Sequence, residues 1–567
     1  MYRIKTVFLL VGLLVILASC EDDWLAVEPL DQVTEASFFT EPEHFTTYAN
    51  RFYPSTGGTY SWGDIHTDIL VYSNTAPSRL AGDITINSGP GYGYANVRRA
   101  NYLIEQVESW EGDMADIEQE AGEAYYFRAF YHWQLVQNFG DIHWVDEVLE
   151  MDSEELYAAR DPRTTVVQNI LDDLDQAIDH LKEDPGDRYS RLSKWNAHLL
   201  KSRIALYEGT WQKYHDGTAF GDAAADVDAL LAESVASSEA IMNSGYYEIY
   251  NTGDPENDYY NNRNRRDYAS HSEAMWWTKM DIEQDINAGR KLFYLAYPEH
   301  KGFTKHLIDQ YLDINGDPIS VSPLYQGDDT IEDEVVDRDP RMDQSIFTQD
   351  DPLYIYEDGS VDHYDTMFPR LFQDVSHSNS TGYHIRKQYN AHRVYHHTQH
   401  EETPTLNDRY AEVLLNFAEA KAELGTLTQA DLDASINILR DRVGMPDLQM
   451  NNITNDPDWA YPDLSPLINE IRRERLVELS AENFRMDDLL RWRAMGYLEG
   501  DRAIGAKADQ FHNDPGLPTT QDGNLDVFQD LYPNGYQFDE DRDYLWPIPE
   551  SEIRKNPDIG QNPGWDQ

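Results

Sequence analysis

The stretch from Gly122 to Gly140, GEAYYFRAFYHWQLVQNFG, constrains the fold of this chain more than any other. Apolar residues fall at Ala124, Phe127, Tyr131 and Leu135, and again at Tyr126, Phe130, Trp133 and Val136. Both series step by three or four residues, the period of a helix, and they occupy different sides of it. A helix that is apolar nearly all round is buried nearly all round. Its charges are confined to Glu120, Glu123 and Arg128. Gly140 closes it, as a residue that takes a left-handed turn without steric cost. Such a helix needs other helices on several sides, so the spacing predicts a helix-rich domain wrapped around it.

The same period recurs along the chain. Ala95, Val97, Ala100, Leu103 and Val107 form one face between Tyr94 and Trp110. Asp161-Pro162-Arg163-Thr164 reads as a helix start, followed by Val166, Ile170, Leu174, Ile178 and Leu181. Ser193 caps the next helix, which the pattern ends at Gly209. Ala223–Ser244, Asp408–Gly425, Gln429–Val443 and two segments within Leu464–Trp492 complete the helical set. Paired helices with Ala and Leu at their contacts resemble tetratricopeptide units in pattern, without the strict repeat signature. Asn50–Pro90 and Tyr246 to about Thr405 break the order with clustered Gly, Pro, Asn, Asp and Tyr. A structureless insertion of that length is improbable in a compact domain, so these regions read as short strands, short helices and loops on the scaffold.

The N-terminus is specific. Arg3 and Lys5 precede an apolar run from Val7 to Ala18, too short to span a bilayer and placed as a secretion signal. It ends in Leu17-Ala18-Ser19-Cys20, similar to the bacterial lipobox, in which the signal is cut before a cysteine that is then lipid-modified. Cys20 is the only cysteine, so no intramolecular disulfide forms and lipidation accounts for it. No later segment is apolar enough to cross a bilayer. In the Bacteroidetes-type lipoproteins that this start resembles, an acidic cluster such as Glu21-Asp22-Asp23 accompanies display on the outer face of the outer membrane. The chain carries 103 Asp plus Glu against 45 Lys plus Arg, a formal net charge of −58. That surface repels nucleic acid and anionic membrane. Its even spread along the chain fits solubility in salt.

Motifs for chemistry are sparse. Arg475, Glu478, Glu482, Arg485, Asp488 and Arg491 lie three or four apart, a spacing for ion pairs along a helix face. Each acid has an arginine near it to keep it ionised, so the segment reads as a salt-bridge network and not as a catalytic carboxylate pair. His392, His396, His397 and His400 form a histidine group without a clear helical frame, so no metal site is expected. Asp313-Ile314-Asn315-Gly316-Asp317 mimics half a calcium loop, but its twelfth position is Leu324, so a tight turn is expected. No cofactor motif is present.

Ordered along the chain stand FRAFYHWQLVQNFGDI from Phe127, KWNAHLLKSRIALYEG from Lys194, the turn at Asp313–Ile319 and RDPRM at Arg338–Met342. TGYHIRKQY from Thr381, RYAEVLLNFAEA from Arg409 and INEIRRERLVELSAENFRMDDLLRW from Ile468 follow, then the ending LWPIPESEIRKNP…QNPGW. Together with Cys20 these resemble the SusD/RagB family of outer-membrane nutrient-binding lipoproteins. The resemblance implies a mainly α fold: tetratricopeptide-like helix pairs carrying a large irregular loop and short-strand face. It implies a signal peptide over 1–19 and a single domain over 20–567. The scaffold would occupy about 35–245 and 405–500, the ligand-face insertions about 50–90 and 246–405, and a loop-rich tail 500–567. It also implies the role: a non-enzymatic protein, lipid-anchored at Cys20 and facing the exterior, that captures a nutrient for a SusC-like TonB-dependent transporter.

The ligand residues are read from the loops themselves. Neutral sugars lay their CH faces on Trp and Tyr rings, and polar forks grip their hydroxyls. The aromatic and polar supply lies at Trp62, Asp64, Asp68, Tyr72 and Arg79, then Tyr92 and Tyr94, then Trp276, Trp277, Arg386 and Tyr389. Trp62 or Tyr94 is expected to share one surface with Trp276 or Trp277. An oligosaccharide ligand is expected; peptide or another nutrient on the same scaffold is the alternative, since peptide binding wants strand edges or ionic clamps. A surface-anchored glycoside hydrolase is the remote third reading.

Overall fold

The computed structural model describes residues 38–53, 64–72, 78–186, 191–284, 286, 291–296, 301–364, 379–396, 401–511, 516–526 and 528–565. The leader with Cys20, together with Tyr60, Trp62, His397 and His400, lies outside these residues. The scaffold begins with α1 (Pro42–Ala49) and α2 (Ala95–Glu108), followed by the central helix α3 (Glu118–Phe139). Then come α4 (Arg163–His180), α5 (Lys194–Tyr214) and α6 (Val227–Met242). After the irregular region follow α7 (Tyr410–Glu423), α8 (Ile436–Arg442), α9 (Pro466–Leu479) and α10 (Arg485–Arg491). Neighbours in sequence pack as antiparallel pairs, α3 on α4 and α5 on α6, while α7 lies against both α6 and α9.

The central helix is enclosed as its pattern predicts. Phe127, Val136 and Phe139 have no exposed surface, and Gly140 takes φ 72° at its end. Glu120, Glu123 and Arg128 are buried too, and each has a partner from outside the helix. Arg128 grips Asp173 of α4 through two hydrogen bonds of 2.6 and 2.7 Å, and Arg191 holds Glu123 at 2.7 Å. A buried charge without such a partner would be costly.

Three boundaries differ from the sequence reading. α5 does not stop at Gly209 but runs five residues further, to Tyr214. Gly209 serves packing instead: a Cβ there would meet Leu231 of α6 at 2.9 Å. The segment after Gln429 is two helices, Gln429–Asp433 and α8, because Ser435 leaves the helical region and turns its hydroxyl back to donate to the Asp431 carbonyl. Thr405–Arg409 is a strand leading into α7, so helix begins at Tyr410 and not at Asp408.

The irregular region is a set of short pieces, as expected. Its strands are β1 (Leu70–Tyr72), β2 (Ala274–Thr278), β3 (Lys301–Phe303), β4 (Pro352–Ile355), β5 (Val361–His363) and β6 (Thr405–Arg409). The tail adds β7 (Ile504–Lys507) and β8 (Asn524–Asp526). All pair as two-stranded antiparallel ribbons, β1–β3, β2–β6, β4–β5 and β7–β8. The Asp313 turn is a tight turn: the Asp313 carboxylate accepts from the backbone N–H groups of Asn315 and Asp317, and Gly316 has φ 85°. Among the described residues no group of three His, Cys, Asp or Glu is placed to hold a metal, and no helix is long and apolar enough to cross a membrane.

The charged segment over 475–491 forms a salt-bridge network, but not along a helix face. Only Arg491–Asp488 is a local pair, at 2.9 Å. Glu478 instead receives Arg341, Arg409 and Arg442 at 3.2, 2.7 and 2.7 Å, each from a different element. Arg475 reaches across the break between α9 and α10 to Asp488 at 2.9 Å. Because these groups are buried, the pairing partners are set by which elements meet and not by spacing in one helix.

Candidate functional site

A cavity of about 480 Å³ opens where the central helix meets β2, β6 and the link between α9 and α10. The helix presents one stripe to it: Tyr126, Phe130, Trp133, Gln134 and Gln137. These positions step by three or four, so they share a face. α5 adds Arg203 and Tyr207 with the same spacing, β2 adds Trp276, and β6 contributes Leu406, Asn407 and Asp408. The far wall is Ala481–Phe484 with Asp487 and Asp488 of α10.

That wall is held under backbone strain. Ala481 and Asn483 take φ of 59° and 73°, and Gln388, which also lines the cavity, takes φ 71°. Left-handed backbone in residues other than glycine persists only where surrounding contacts hold it. Here the holder is Asp64, whose carboxylate accepts from the backbone N–H groups of Glu482, Asn483 and Arg485 at 3.0, 3.2 and 2.9 Å. Burial pushes the Asp64 carboxyl up to about 6 even against those three donors. Asp68 holds the next residue's side chain: it pairs with the Arg485 guanidinium at 2.5 Å and with His306 at 3.0 Å.

The cavity's charges are almost all engaged. Arg203 bonds Glu412 at 2.6 Å and Asp408 at 2.9 Å, and Arg491 bonds Glu419 at 2.5 Å. Asp487 accepts a hydrogen bond from the Gln137 amide at 2.9 Å. Burial, then the neighbouring Asp488, pushes its carboxyl up to about 6. The Tyr207 hydroxyl, also on the cavity, is buried without a hydrogen-bond partner.

The ring and polar positions expected from the loops fall in different places. Trp276 lines the cavity, whereas the next residue, Trp277, packs into a small cluster with Tyr268, Ala274 and Leu406. Asp64 and Asp68 brace the cavity wall from behind. Tyr92 and Tyr94 line a separate groove of about 310 Å³, with the Tyr94 hydroxyl donating to that of Tyr92 at 3.2 Å and accepting from the His143 backbone at 3.0 Å. Tyr94 and Trp276 therefore do not line the same recess. Tyr72 sits at a ribbon edge under the Lys301 ammonium, and Arg79 is buried with its guanidinium 4.4 Å over the Trp546 ring. Arg386 pairs with Asp351 at 3.1 Å and covers Tyr260. Tyr389 is fully buried, its hydroxyl donating to the Leu353 carbonyl. Of the histidine group, His396 is turned to the Asn390 carbonyl at 2.6 Å.

The residues that the loops did not reveal are on the scaffold: Phe130, Trp133, Gln134, Gln137 and Asp487. One signal was available. Gln134 and Gln137 are polar residues at i and i+3 on a helix otherwise committed to burial, and such a pair marks a wet face.

Fold and cavity together define a helical-repeat scaffold with an aromatic, polar-lined recess. Comparison with known proteins places it further. The family described as SusD family matches residues 266–565, and a second description, starch-binding associating with outer membrane, matches residues 34–206. SusD-like protein P2 of Formosa agariphila is 23% identical, with 100% of both chains covered. A SusD-like protein from Bacteroides fragilis superposes with a TM-score of 0.70 at 21% identity, over 95% of this chain and 100% of its own. A SusD-like carbohydrate binding protein from the same organism gives a TM-score of 0.70 at 18% identity, over 92% of this chain and 100% of its own. The chain belongs to the SusD family.

Proposed function

We propose that this protein is a cell-surface glycan-binding lipoprotein of the outer membrane, which captures oligosaccharide and passes it to a SusC-like TonB-dependent transporter. The observation that carries the reading is the composition of the cavity. Phe130, Trp133 and Trp276 offer ring surface, and Gln134, Gln137, Asn407 and Asp487 offer donors and acceptors for hydroxyls. Rings with a few convergent polar groups are what a sugar needs. The family described as starch-binding associating with outer membrane supports both the ligand class and the place. The lipobox-like Leu17–Cys20 supports a lipid anchor at Cys20.

Binding without turnover is favoured by the state of the acids. Glycoside hydrolysis uses two carboxyl groups facing each other across the scissile bond. In the cavity Asp408, Glu482 and Asp488 are tied to arginines, which leaves Asp487 alone. Affinity of about micromolar or weaker is expected, because a hydrated flexible sugar gains little per atom on binding. Calorimetry against an oligosaccharide panel tests the reading. Trp276→Ala removes binding, whereas Trp277→Ala lowers stability and leaves affinity unchanged. Binding of peptides in place of every sugar, or hydrolysis of a sugar that Asp487→Ala abolishes, replaces it. Cys20→Ala moves the protein from the membrane to the soluble fraction; unchanged fractionation removes the anchor from the proposal.

A further inference from the structure

We propose that the glycan held in this cavity carries a protonated amine, as in an oligosaccharide of unacetylated amino sugars, and that Asp487 selects it. The inference rests on the glycan-binding reading and narrows it to one class of sugar.

The argument is a charge balance around one recess. Four arginines line it, and each is spoken for. Arg203 has Glu412 and Asp408, Arg263 has Glu482, Arg475 has Asp488, and Arg491 has Glu419 and Asp488. Asp487 differs. Its one bond is the neutral Gln137 amide, and among the described residues no Lys, Arg or His forms an ion pair with it. Asp488 stands beside it and repels it; Arg203 and Arg491 lie near but are shared with other carboxylates, and Arg79, held over Trp546, acts on it only from beyond ion-pair distance. A carboxylate half-enclosed in protein without a cation is costly, and a ligand that brings the cation recovers that cost.

The rings agree with this. Phe484 already has the guanidiniums of Arg203 and Arg475 over it, at 5.6 and 5.4 Å. Phe130, Trp133 and Trp276 have no such cation among the described residues. An amino sugar meets both needs at once. Its ammonium donates to Asp487 and faces a ring, and the CH face of its pyranose lies on a second ring. Uronic or sulfated sugars have no free guanidinium to meet here, and a net charge of −58 disfavours their approach. A neutral sugar can donate a hydroxyl to Asp487 but brings no counter-charge to it.

The test uses the full-length chain and three oligosaccharides of equal length: a glucosamine tetramer, its fully N-acetylated counterpart and a neutral glucose tetramer. The glucosamine tetramer is expected to bind at least about tenfold more tightly than either, since a hydrogen bond between charged groups outweighs a neutral one. That preference shrinks with added salt and as pH falls through about 6, where Asp487 takes up its proton. Asp487→Asn keeps the shape of the side chain and an oxygen for the Gln137 amide, so it is expected to bring the affinity for the glucosamine tetramer down to that for the neutral tetramer, whatever it does to the neutral one. The salt and pH profiles are read on the unaltered protein and do not depend on how the variant folds. Equal or tighter binding of the neutral or acetylated tetramer overturns the inference while the glycan reading stands. A preference that survives Asp487→Asn overturns it as well. Failure of all three tetramers to bind overturns both.

Discussion

Glu478 is the residue on which the buried charges converge. Arg341, Arg409 and Arg442 meet its two oxygens, and its own surface is fully enclosed. Removing the negative charge leaves guanidiniums buried without their counter-ion. Glu478→Gln is therefore expected to cost about 3–5 kcal/mol, the range for breaking a buried pair from one side. Urea denaturation reads it, and a loss below about 1 kcal/mol would show the network to be dispensable. Asp64 is the second such residue. Asp64→Ala strips the acceptor from three backbone N–H groups of the cavity wall, of which that of Arg485 is buried, and is expected to cost about 1–3 kcal/mol. The same variant should weaken oligosaccharide binding, because Ala481 and Asn483 hold positive φ only while their loop is pinned. Wild-type affinity in a destabilised Asp64→Ala protein would separate the loop from the ligand.

At the scale of elements, the pairing of α5 with α6 depends on a missing side chain. Gly209 sits inside α5, where alanine has the better helix propensity by about 1 kcal/mol. A Cβ at that point would nevertheless stand 2.9 Å from Leu231 and 3.4 Å from Leu230. Overpacking of that kind costs about 1–3 kcal/mol. Gly209→Ala is thus expected to lower the melting temperature in spite of its helical preference, and a rise would show that α6 gives way freely. The central helix illustrates a different division of labour. One face supplies the core through Phe127 and Val136, and another supplies the cavity through Phe130, Gln134 and Gln137. Rigid packing on the first face fixes the geometry of the second.

Across the whole molecule, pH acts through opposed sets of buried groups. Against the upward push of burial, Arg263, Arg409 and Lys387 hold Glu482 down to about 2, and Arg491, Arg475 and Arg472 hold Glu419 down to about 2. A depressed acid stabilises the fold above its unfolded value, about 4.5, and that contribution disappears as pH falls towards 2. Asp64 and Asp487 run the other way. Raised to about 6, they favour the fold below their unfolded value and withdraw that contribution as pH rises through 6. The net charge of −58 adds self-repulsion at neutral pH. Burial pushes the imidazoles of His132 and His215 down to about 3, so they too withdraw stability as pH falls. Stability is therefore expected to fall steeply as pH drops from about 4.5 towards 2. Calorimetric melts across pH 2–8 read the curve; a melting temperature that holds level over that interval would contradict it. Added salt should raise the melting temperature at pH 7, since it screens the exposed charges more than the buried pairs.

The sequence by itself determined the helices, the burial of the central one, the turn at Asp313 and the family, because period and turn chemistry are local and survive without a partner. The motifs that carried the family likeness, RDPRM, RYAEVLLNFAEA and RRERLVEL, hold Arg341, Arg409, Glu474 and Glu478, and these meet in the buried network. Only the tertiary structure decided which ring of Trp276-Trp277 faces the cavity, since neighbours on a strand point apart and either face is open to a ligand until the chain folds over one. It alone joined Gln137 to Asp487, 350 residues away. It also turned Gly209 from a helix end into a contact, because a glycine that stops a helix and a glycine that admits a neighbour look alike until the neighbour is in place.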